Sequence, residues 1–223
     1  MDKPITITKQ PVQGYYNCDC MELMAKYPDK YFELAIVDPP YGIFNKKKSA
    51  SMNWQKSGSG GTWASKYGKK AEKWDLEPEP AYFEELNRIS RNQIIWGANH
   101  FGIKTDNYVI WRKLTISESF TMGMCEFASV SLKGNPKVFE CKPQDTFRFH
   151  PTQKPVKLYK WLLELYANPG DKILDTHMGS GSIAIACHYM GYNLTACEID
   201  ENYYKAAIKR IKEETAQLDL LAL

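Results

Sequence analysis

Residues 172–200 have the sequence KILDTHMGSGSIAIACHYMGYNLTACEID, which has the pattern of a strand, a tight turn, a helix and a second strand. The first strand is expected to end at Asp175, and a Gly-Ser-Gly turn at 179–181 opens the helix. Glu198 ends the second strand. Since parallel strands joined by a helix are the unit of α/β folds, the stretch predicts a parallel sheet with acidic strand ends.

The rest of the chain repeats this alternation of strands and helices. Strands are predicted at 12–17, 32–37, 93–96, 108–112, 126–132, 172–174 and 193–197, and helices at 19–27, 79–89, 156–166, 182–190 and 201–218. The strand at 126–132 alternates like an antiparallel or edge strand. We therefore predict one α/β domain over residues 1–223, with a mostly parallel sheet and helices on both faces.

The composition is that of an ordinary soluble globular protein, with 43% hydrophobic and 25% charged residues. No stretch approaches the roughly 18 apolar residues of a membrane span, so we expect a cytoplasmic protein without a membrane partner. The six cysteines form no C-x-x-C pair, which favours reduced thiols over a metal site.

Positive charge is concentrated in one segment. The net charge of the chain is +3, but residues 44–73 contain eight lysines and a single acid, together with SGSGG at 57–61. This composition predicts a mobile loop at 44–75, and its interleaved aromatic residues favour contact with nucleic acid over a merely solvated segment. The lysines expected to contact DNA are Lys46, Lys47, Lys48, Lys56, Lys66, Lys69 and Lys70.

The glycine turn after Asp175 favours a ligand with a positive end. The G-x-G-x-x-G pattern of dinucleotide sites is incomplete, because Ala184 occupies the third glycine position. A carboxylate beside the turn disfavours a pyrophosphate and suits the amino group or sulfonium of S-adenosylmethionine. A strand-to-helix turn without a ligand is the alternative interpretation.

A second acidic strand end lies in AIVDPPYGIF, residues 35–44. The apolar strand runs into Asp38, which is followed by Pro39, Pro40 and Tyr41. Prolines stiffen the backbone and leave carbonyls as its only polar groups. Ligands of open α/β sheets bind at such strand ends, so the stretch is a candidate site.

Together these motifs resemble those of the amino-group DNA methyltransferases, in the permuted (beta) group whose catalytic motif precedes the cofactor motif. The matching stretches are DPPY at 38–41, HPTQKP at 150–155, DTHMGSGS at 175–182 and CEID at 197–200, with YNCDC at 16–20 similar to the family's N-terminal strand. The resemblance implies a Rossmann-like S-adenosylmethionine-dependent methyltransferase fold. It also implies base flipping followed by direct in-line methyl transfer.

The catalytic roles that the resemblance implies belong to the tetrapeptide. Asp38 and the carbonyl of Pro39 would each accept one hydrogen of the base amine, while Pro40 stiffens the site. Tyr41 would stack on the extruded base.

For the cofactor, the resemblance implies that Glu198 holds the ribose hydroxyls and that Asp19 contacts the adenine amine. Lys154 and its neighbours would lie at the carboxylate end of the methionine. The whole implied set is Asp19, His150, Thr152, Gln153, Lys154, Asp175, His177, Gly179, Ser180, Gly181, Ser182 and Glu198.

Two positions of the site leave alternatives open. The family usually has Pro-Phe after the acid of the glycine turn, where this chain has Thr176 and His177. His177 either replaces the contacts of that phenylalanine or faces solvent. Asn99, just past a strand end, is a candidate for the rim of the DNA-binding pocket, and Lys113, at another strand end, is interpreted as a solvated cation.

The expected reaction is methylation of the N6 amine of adenine in double-stranded DNA, since Asp at the first tetrapeptide position favours adenine. Cytosine enzymes more often place Ser there, and N4-cytosine is the close alternative. A non-catalytic DNA-binding relative, or a methyltransferase for RNA or a protein amide, is also left open. Because only 44–75 and 113–149 are available for target recognition, we expect a short recognition site or a homodimer. A restriction endonuclease partner is a further hypothesis.

Overall fold

The computed structural model describes residues 14–42, 75–119, 123–143 and 148–219. Its strands are β1 (Gly14–Asn17), β2 (Phe32–Val37), β3 (Ser90–Trp96), β4 (Tyr108–Lys113), β5 (Cys125–Val130), β6 (Lys137–Cys141), β7 (Lys172–Asp175) and β8 (Asn193–Glu198). Its helices are α1 (Cys20–Met24), α2 (Pro80–Ile89), α3 (Val156–Tyr166), α4 (Ser182–Met190) and α5 (Glu201–Asp219).

The strands form one eight-stranded sheet in the order β1-β8-β7-β2-β3-β5-β4-β6 within the described ranges. Neighbours are parallel except that β5 runs antiparallel to both β3 and β4. In the centre, Leu34 of β2 pairs with Ile173 of β7, and Ala35 pairs with Leu174. The predicted mostly parallel α/β fold is therefore confirmed, including the antiparallel strand near 126–132.

Strand β2 is buried on both faces, which explains its continuous apolar sequence. Leu34 and Ile36 belong to the core that β2 shares with α3, α4 and α5. Ala35 and Val37 belong to a second core, on the side of α1 and α2. Because side chains alternate along a strand, these two cores lie on opposite faces of the sheet. Asp38 thus follows a strand that is held from both sides.

Three elements differ most from the prediction. Strand β3 begins at Ser90, not at residue 93. Helix α1 ends at Met24, not at residue 27, because the chain turns through 25–27 before Pro28. Strand β6 at Lys137–Cys141 was not predicted; it pairs with β4 at the sheet edge, and its side chains are partly exposed. Among the described helices, none is both long and apolar enough to span a bilayer.

Candidate active site

Four acidic side chains mark the carboxyl ends of four neighbouring strands. Asp38 follows β2 directly, Asp175 ends β7, Glu198 ends β8, and Asp19 lies two residues beyond β1. Because β1, β8, β7 and β2 are adjacent and parallel, these ends share one edge of the sheet. Parts of the chain that are up to 179 residues apart in sequence thus contribute to one site.

Both carboxylate oxygens of Asp38 accept hydrogen bonds from side chains. The Tyr41 hydroxyl donates to Oδ1 at 2.6 Å, and the Lys154 ammonium donates to Oδ2 at 2.5 Å. Burial raises the pKa of the Asp38 carboxyl, while the nearby Lys154 charge opposes that rise. The carboxylate plane is consequently fixed from two sides, and each oxygen keeps a further lone pair.

Lys154 contacts the Asp38 carboxylate, and its expected place at the methionine carboxylate end stays a prediction. Its ammonium also contacts Glu126 at 3.0 Å, and its side chain is only 2% exposed. A buried cation is stable only beside anions, and these two carboxylates supply them. Lys113 in turn pairs with Glu126 at 2.6 Å and is 8% exposed, so the expectation that it is a solvated cation is wrong.

The Tyr41 ring lies in a tight aromatic setting. It stacks on His100 with ring centroids 5.0 Å apart and planes 18° apart. On Gly97, which has φ +73°, a Cβ atom would lie 2.2 Å from Cε1 of Tyr41, so a side chain there would displace the ring. A small cleft beside the ring is lined by Gly97, Asn99, His100 and Glu126, among others.

Asp175 is a buried acid at the end of β7. It is 2% exposed, and Oδ1 accepts the backbone N–H of His177 at 2.9 Å. In the described part of the chain it forms no ion pair. Burial raises the pKa of its carboxyl to about 8, with smaller contributions from the charges of Asp38 and Glu198. A cationic group brought to this position would therefore be strongly favoured.

The glycine turn requires its glycines. Gly179 and Gly181 have φ values of +53° and +75°, which glycine adopts without strain. A Cβ on Gly181 would also lie 2.9 Å from Cδ1 of Ile211 in α5. The side chains of Ser180 and Ser182 bond each other at 3.1 Å, so the start of α4 is well defined.

Glu198 and Asp19 each bond to nearby backbone. Oε2 of Glu198 accepts the Gly179 N–H at 2.9 Å, and Oε1 accepts the Asp200 N–H at 3.0 Å. Oδ1 of Asp19 caps α1 by accepting the Met21 N–H at 2.7 Å. These bonds fix the orientation of both carboxylates at the predicted ribose and adenine end.

His177 packs inside the protein and does not face solvent freely. Its Nδ1 lies 2.9 Å from the Thr176 hydroxyl, which is itself 2.6 Å from the hydroxyl of Tyr82. The edge of its ring meets Tyr82 at a centroid distance of 5.4 Å. Burial lowers the pKa of His177 to about 4, so the ring is neutral at pH 7.

The HPTQKP segment connects the two halves of the site. His150 packs against the glycine turn, since a Cβ on Gly179 would lie 3.4 Å from its ring, while Lys154 reaches Asp38. Burial lowers the pKa of His150 to about 3. Gln153 is buried, whereas Thr152 is exposed and bonds to Nδ1 of His150 at 3.2 Å.

The predicted DNA contacts are only partly visible. Asn99 is exposed at the cleft beside Tyr41. The lysines expected to contact DNA, Lys46, Lys47, Lys48, Lys56, Lys66, Lys69 and Lys70, lie outside the described residues.

The sequence did not point to Glu126, Lys113 or Tyr82, although all three support the site. Glu126 lies in a strand that was predicted, and a single charged residue within the otherwise uncharged stretch 125–132 was the available signal. Its partners are Lys113 of β4 and Lys154, and no local sequence pattern predicts such long-range ion pairs.

The donor set fits S-adenosylmethionine. The buried carboxylate of Asp175, which forms no ion pair within the described ranges, suits the positive charge of that cofactor. The glycine turn lets backbone approach a ligand closely, and Glu198 provides a carboxylate at the neighbouring strand end.

Comparisons with known proteins point to DNA methylases. A family model described as DNA methylase matches residues 110–209. The putative methylase YubD of Escherichia coli K12 is 26% identical over 215 residues, which cover 86% of this chain and 87% of that protein. The DNA adenine methyltransferase YhdJ of the same organism is 39% identical over 70 residues, covering 30% of this chain and 23% of YhdJ.

Among solved structures, the cytosine-N4-specific PvuII DNA methyltransferase superposes with a TM-score of 0.59. It shares 12% sequence identity, and the alignment covers 93% of each chain. At this identity the likeness establishes the fold.

Proposed function

We propose that this protein, which belongs to the family of amino-group DNA methylases, transfers a methyl group to the exocyclic N6 amine of adenine in double-stranded DNA. It is a DNA methyltransferase; the choice of adenine and the residue roles below are the proposal. S-adenosylmethionine is its methyl donor.

One observation carries the proposal: the ends of β2 and β7 lie side by side in the sheet. This pairing brings the Asp38-Pro39 acceptors next to the buried carboxylate of Asp175. A base amine held at the first position and a cationic methyl donor held at the second would meet at the same edge. Catalysis by such a site rests on orientation and fixed electrostatics.

The base side of the site works by hydrogen-bond acceptance. Asp38 would accept a hydrogen bond from one amine N–H, and the Pro39 carbonyl would accept one from the other. These two bonds would direct the nitrogen lone pair away from the base ring. Tyr41 would stack on the extruded base. The Asp38 carboxyl, whose pKa is raised by burial, is also suited to receive the proton that the amine loses.

On the cofactor side, Asp175 would face the positive charge of the ligand, Glu198 would accept the ribose hydroxyls and Asp19 would contact the adenine amine. The bound donor supplies an electrophilic methyl group on a sulfonium, so that the new N–C bond forms as the C–S bond breaks. Gly179 and Gly181 let the backbone approach the ligand.

Two features support adenine over cytosine. Asp38 stands at the tetrapeptide position where cytosine enzymes of the family more often have Ser. The relative YhdJ is named an adenine methyltransferase, although the match covers only 30% of this chain. The likeness to the cytosine-specific PvuII enzyme concerns the fold and makes N4-cytosine the alternative to be tested.

The test is product analysis. The full chain is incubated with methyl-labelled S-adenosylmethionine and duplex DNA of mixed sequence, and the DNA is digested to nucleosides. Label in N6-methyladenine is the expected result, while label in N4-methylcytosine would transfer the assignment to cytosine. Retained DNA binding without label would identify a binding protein.

A further inference from the structure

A chain of four alternating charges runs through the interior next to the proposed catalytic acid. Lys154 bonds to Asp38 at 2.5 Å and to Glu126 at 3.0 Å. Lys113 bonds to the other oxygen of Glu126 at 2.6 Å. With two cations and two anions the chain is neutral, so it can be buried without a counter-ion.

The Lys154 ammonium lies among two carboxylates and two aromatic rings. It lies 5.2 Å from the ring centroid of Trp96 and 6.0 Å from that of Tyr41. An aromatic face attracts a cation but cannot accept a strong hydrogen bond. The two carboxylates therefore determine where the ammonium lies, and Asp38 shares it with Glu126.

Glu126 is anchored independently of Asp38. It lies within β5, where it pairs with Trp111 of β4, whereas Asp38 lies just beyond the end of β2. The two lysine charges lower the pKa of Glu126 to about 2, against the effect of burial, so it stays ionised. Glu126 is thus a fixed anion on which the position of the Lys154 ammonium depends.

We infer that Glu126 is a positioning residue for methyl transfer: it anchors the Lys154 ammonium, which in turn fixes the Asp38 carboxylate that receives the base amine. The inference rests on the proposed function. Glu126 also lines the cleft beside Tyr41, which is consistent with a place close to the base. Without its anchor, Lys154 would follow Asp38 alone, and the carboxylate would lose its fixed orientation.

The first test is Glu126→Gln, which preserves shape and removes charge. We expect kcat to fall by about 100-fold, because small misplacement of a reacting group costs that much, with little change in KM for the cofactor. The matched control is Glu33→Gln. Glu33 lies on β2 and is 30% exposed, compared with 23% for Glu126, and it pairs with Lys172 away from the site. The control should keep the wild-type kcat.

The second readout is the pH dependence of kcat. Glu126 is one of the charges that raise the pKa of Asp38, so its neutralisation should move the acidic limb of the profile to lower pH. The other titratable groups that interact with Asp38 are Tyr41, Lys154, Tyr159 and Asp175. They are unchanged in the variant. A lower kcat with an unmoved acidic limb would indicate structural damage and overturn the inference.

A double variant separates positioning from stability. Glu126→Gln leaves the buried Lys113 without its partner, and adding Lys113→Gln restores a neutral set. The double variant should regain thermal stability while its kcat stays low. If kcat recovers together with stability, Glu126 serves only the fold and the inference is overturned.

These outcomes differ from failure of the proposed function. If the wild-type protein labels no DNA, the proposed function fails. If the wild type labels DNA and Glu126→Gln has the same kcat and pH profile, only the role of Glu126 is rejected.

Discussion

The ends of β2 and β7 are adjacent in the sheet and each carries an acid, Asp38 partly buried and Asp175 buried, but the two acids are compensated in different ways. Asp38 has the Lys154 ammonium and the Tyr41 hydroxyl on its two oxygens. Asp175, among the described residues, has the His177 N–H and no cation. One carboxylate is therefore neutralised by the protein, and the other is suited to a cation from outside.

This difference matches the two ligands that the site is proposed to take. A base amine is neutral and cannot balance the negative charge of its acceptor. The Asp38 carboxylate therefore needs a fixed orientation and a cation from the protein, which Lys154 supplies. The methyl donor is positively charged, so its binding site gains from a carboxylate that lacks a partner. The resemblance to the family assigned different roles to the two strand-end acids, and the contacts supply a physical reason for that difference.

The largest expected effect is on the rate of methyl transfer and concerns Asp38. Asp38→Ala should lower the rate of methyl transfer by about 1000-fold or more, because it removes an acceptor of the base amine. Binding of S-adenosylmethionine, measured by calorimetry, should remain within a few-fold of wild type. Transfer at a near wild-type rate would show that another group receives the amine.

The second effect is on folding stability and concerns Lys154, the cation that pairs with Asp38. Lys154→Met leaves Asp38 and Glu126 with one lysine between them, and we expect a loss of about 3 kcal/mol in the free energy of unfolding. Lys172→Met is the control, since Lys172 is 33% exposed and lies 3.7 Å from Glu33. That surface pair should contribute about 1 kcal/mol or less in urea unfolding.

The third effect concerns the second acid and depends on pH. Burial raises the pKa of Asp175 to about 8, so below that pH a cationic ligand must displace its proton. Affinity for S-adenosylmethionine should rise by up to about tenfold per pH unit between pH 6 and 7.5. Asp175→Asn should bind more weakly and lose most of this dependence in calorimetric titrations.

The same group should influence the stability of the ligand-free protein. Between its unfolded pKa of about 3.9 and its folded value, the folded chain holds a proton that the unfolded chain has lost. Stability should therefore fall as pH rises through this range, and Asp175→Asn should flatten the slope. An unchanged slope would mean that Asp175 is ionised in the folded protein.

The smallest expected effect is on folding stability and concerns the hydrogen bond between Tyr82 and Thr176, next to Asp175. Tyr82→Phe removes the 2.6 Å bond to Thr176, the residue that follows Asp175, and should cost about 1 kcal/mol of unfolding free energy. Tyr192→Phe is the comparison, because its hydroxyl makes only a 3.3 Å bond to a carbonyl near the surface. Equal losses in urea unfolding would argue against a special contribution of Tyr82.

Much of the fold could be predicted from the sequence because its central elements have strong local patterns. The bounds of β2, α3 and α4 agree with the predicted ranges 32–37, 156–166 and 182–190. Strand β6 was not predicted, because a short edge strand with partly exposed side chains lacks a clear hydrophobic pattern. The early end of α1 depends on a turn that the helical spacing does not reveal.

The acids of the site were predictable, but their partners were not. Asp38, Asp175 and Glu198 follow apolar strands, which places them at a strand end from local sequence alone. The position of Lys154 depends on Glu126, which comes from a distant antiparallel strand. Local sequence contains no information about which acids a buried lysine will reach, so the contacts of Lys154 with Asp38 and Glu126 were not predicted.

The central position of β2 has a consequence for how the protein opens. Since β2 is paired on both sides, by β7 and β3, its amides should exchange with solvent hydrogen only through global unfolding. Strand β6 is paired only with β4 among the described strands, so its amides should exchange through local opening. The edge can then loosen while the backbone that leads to Asp38 stays closed.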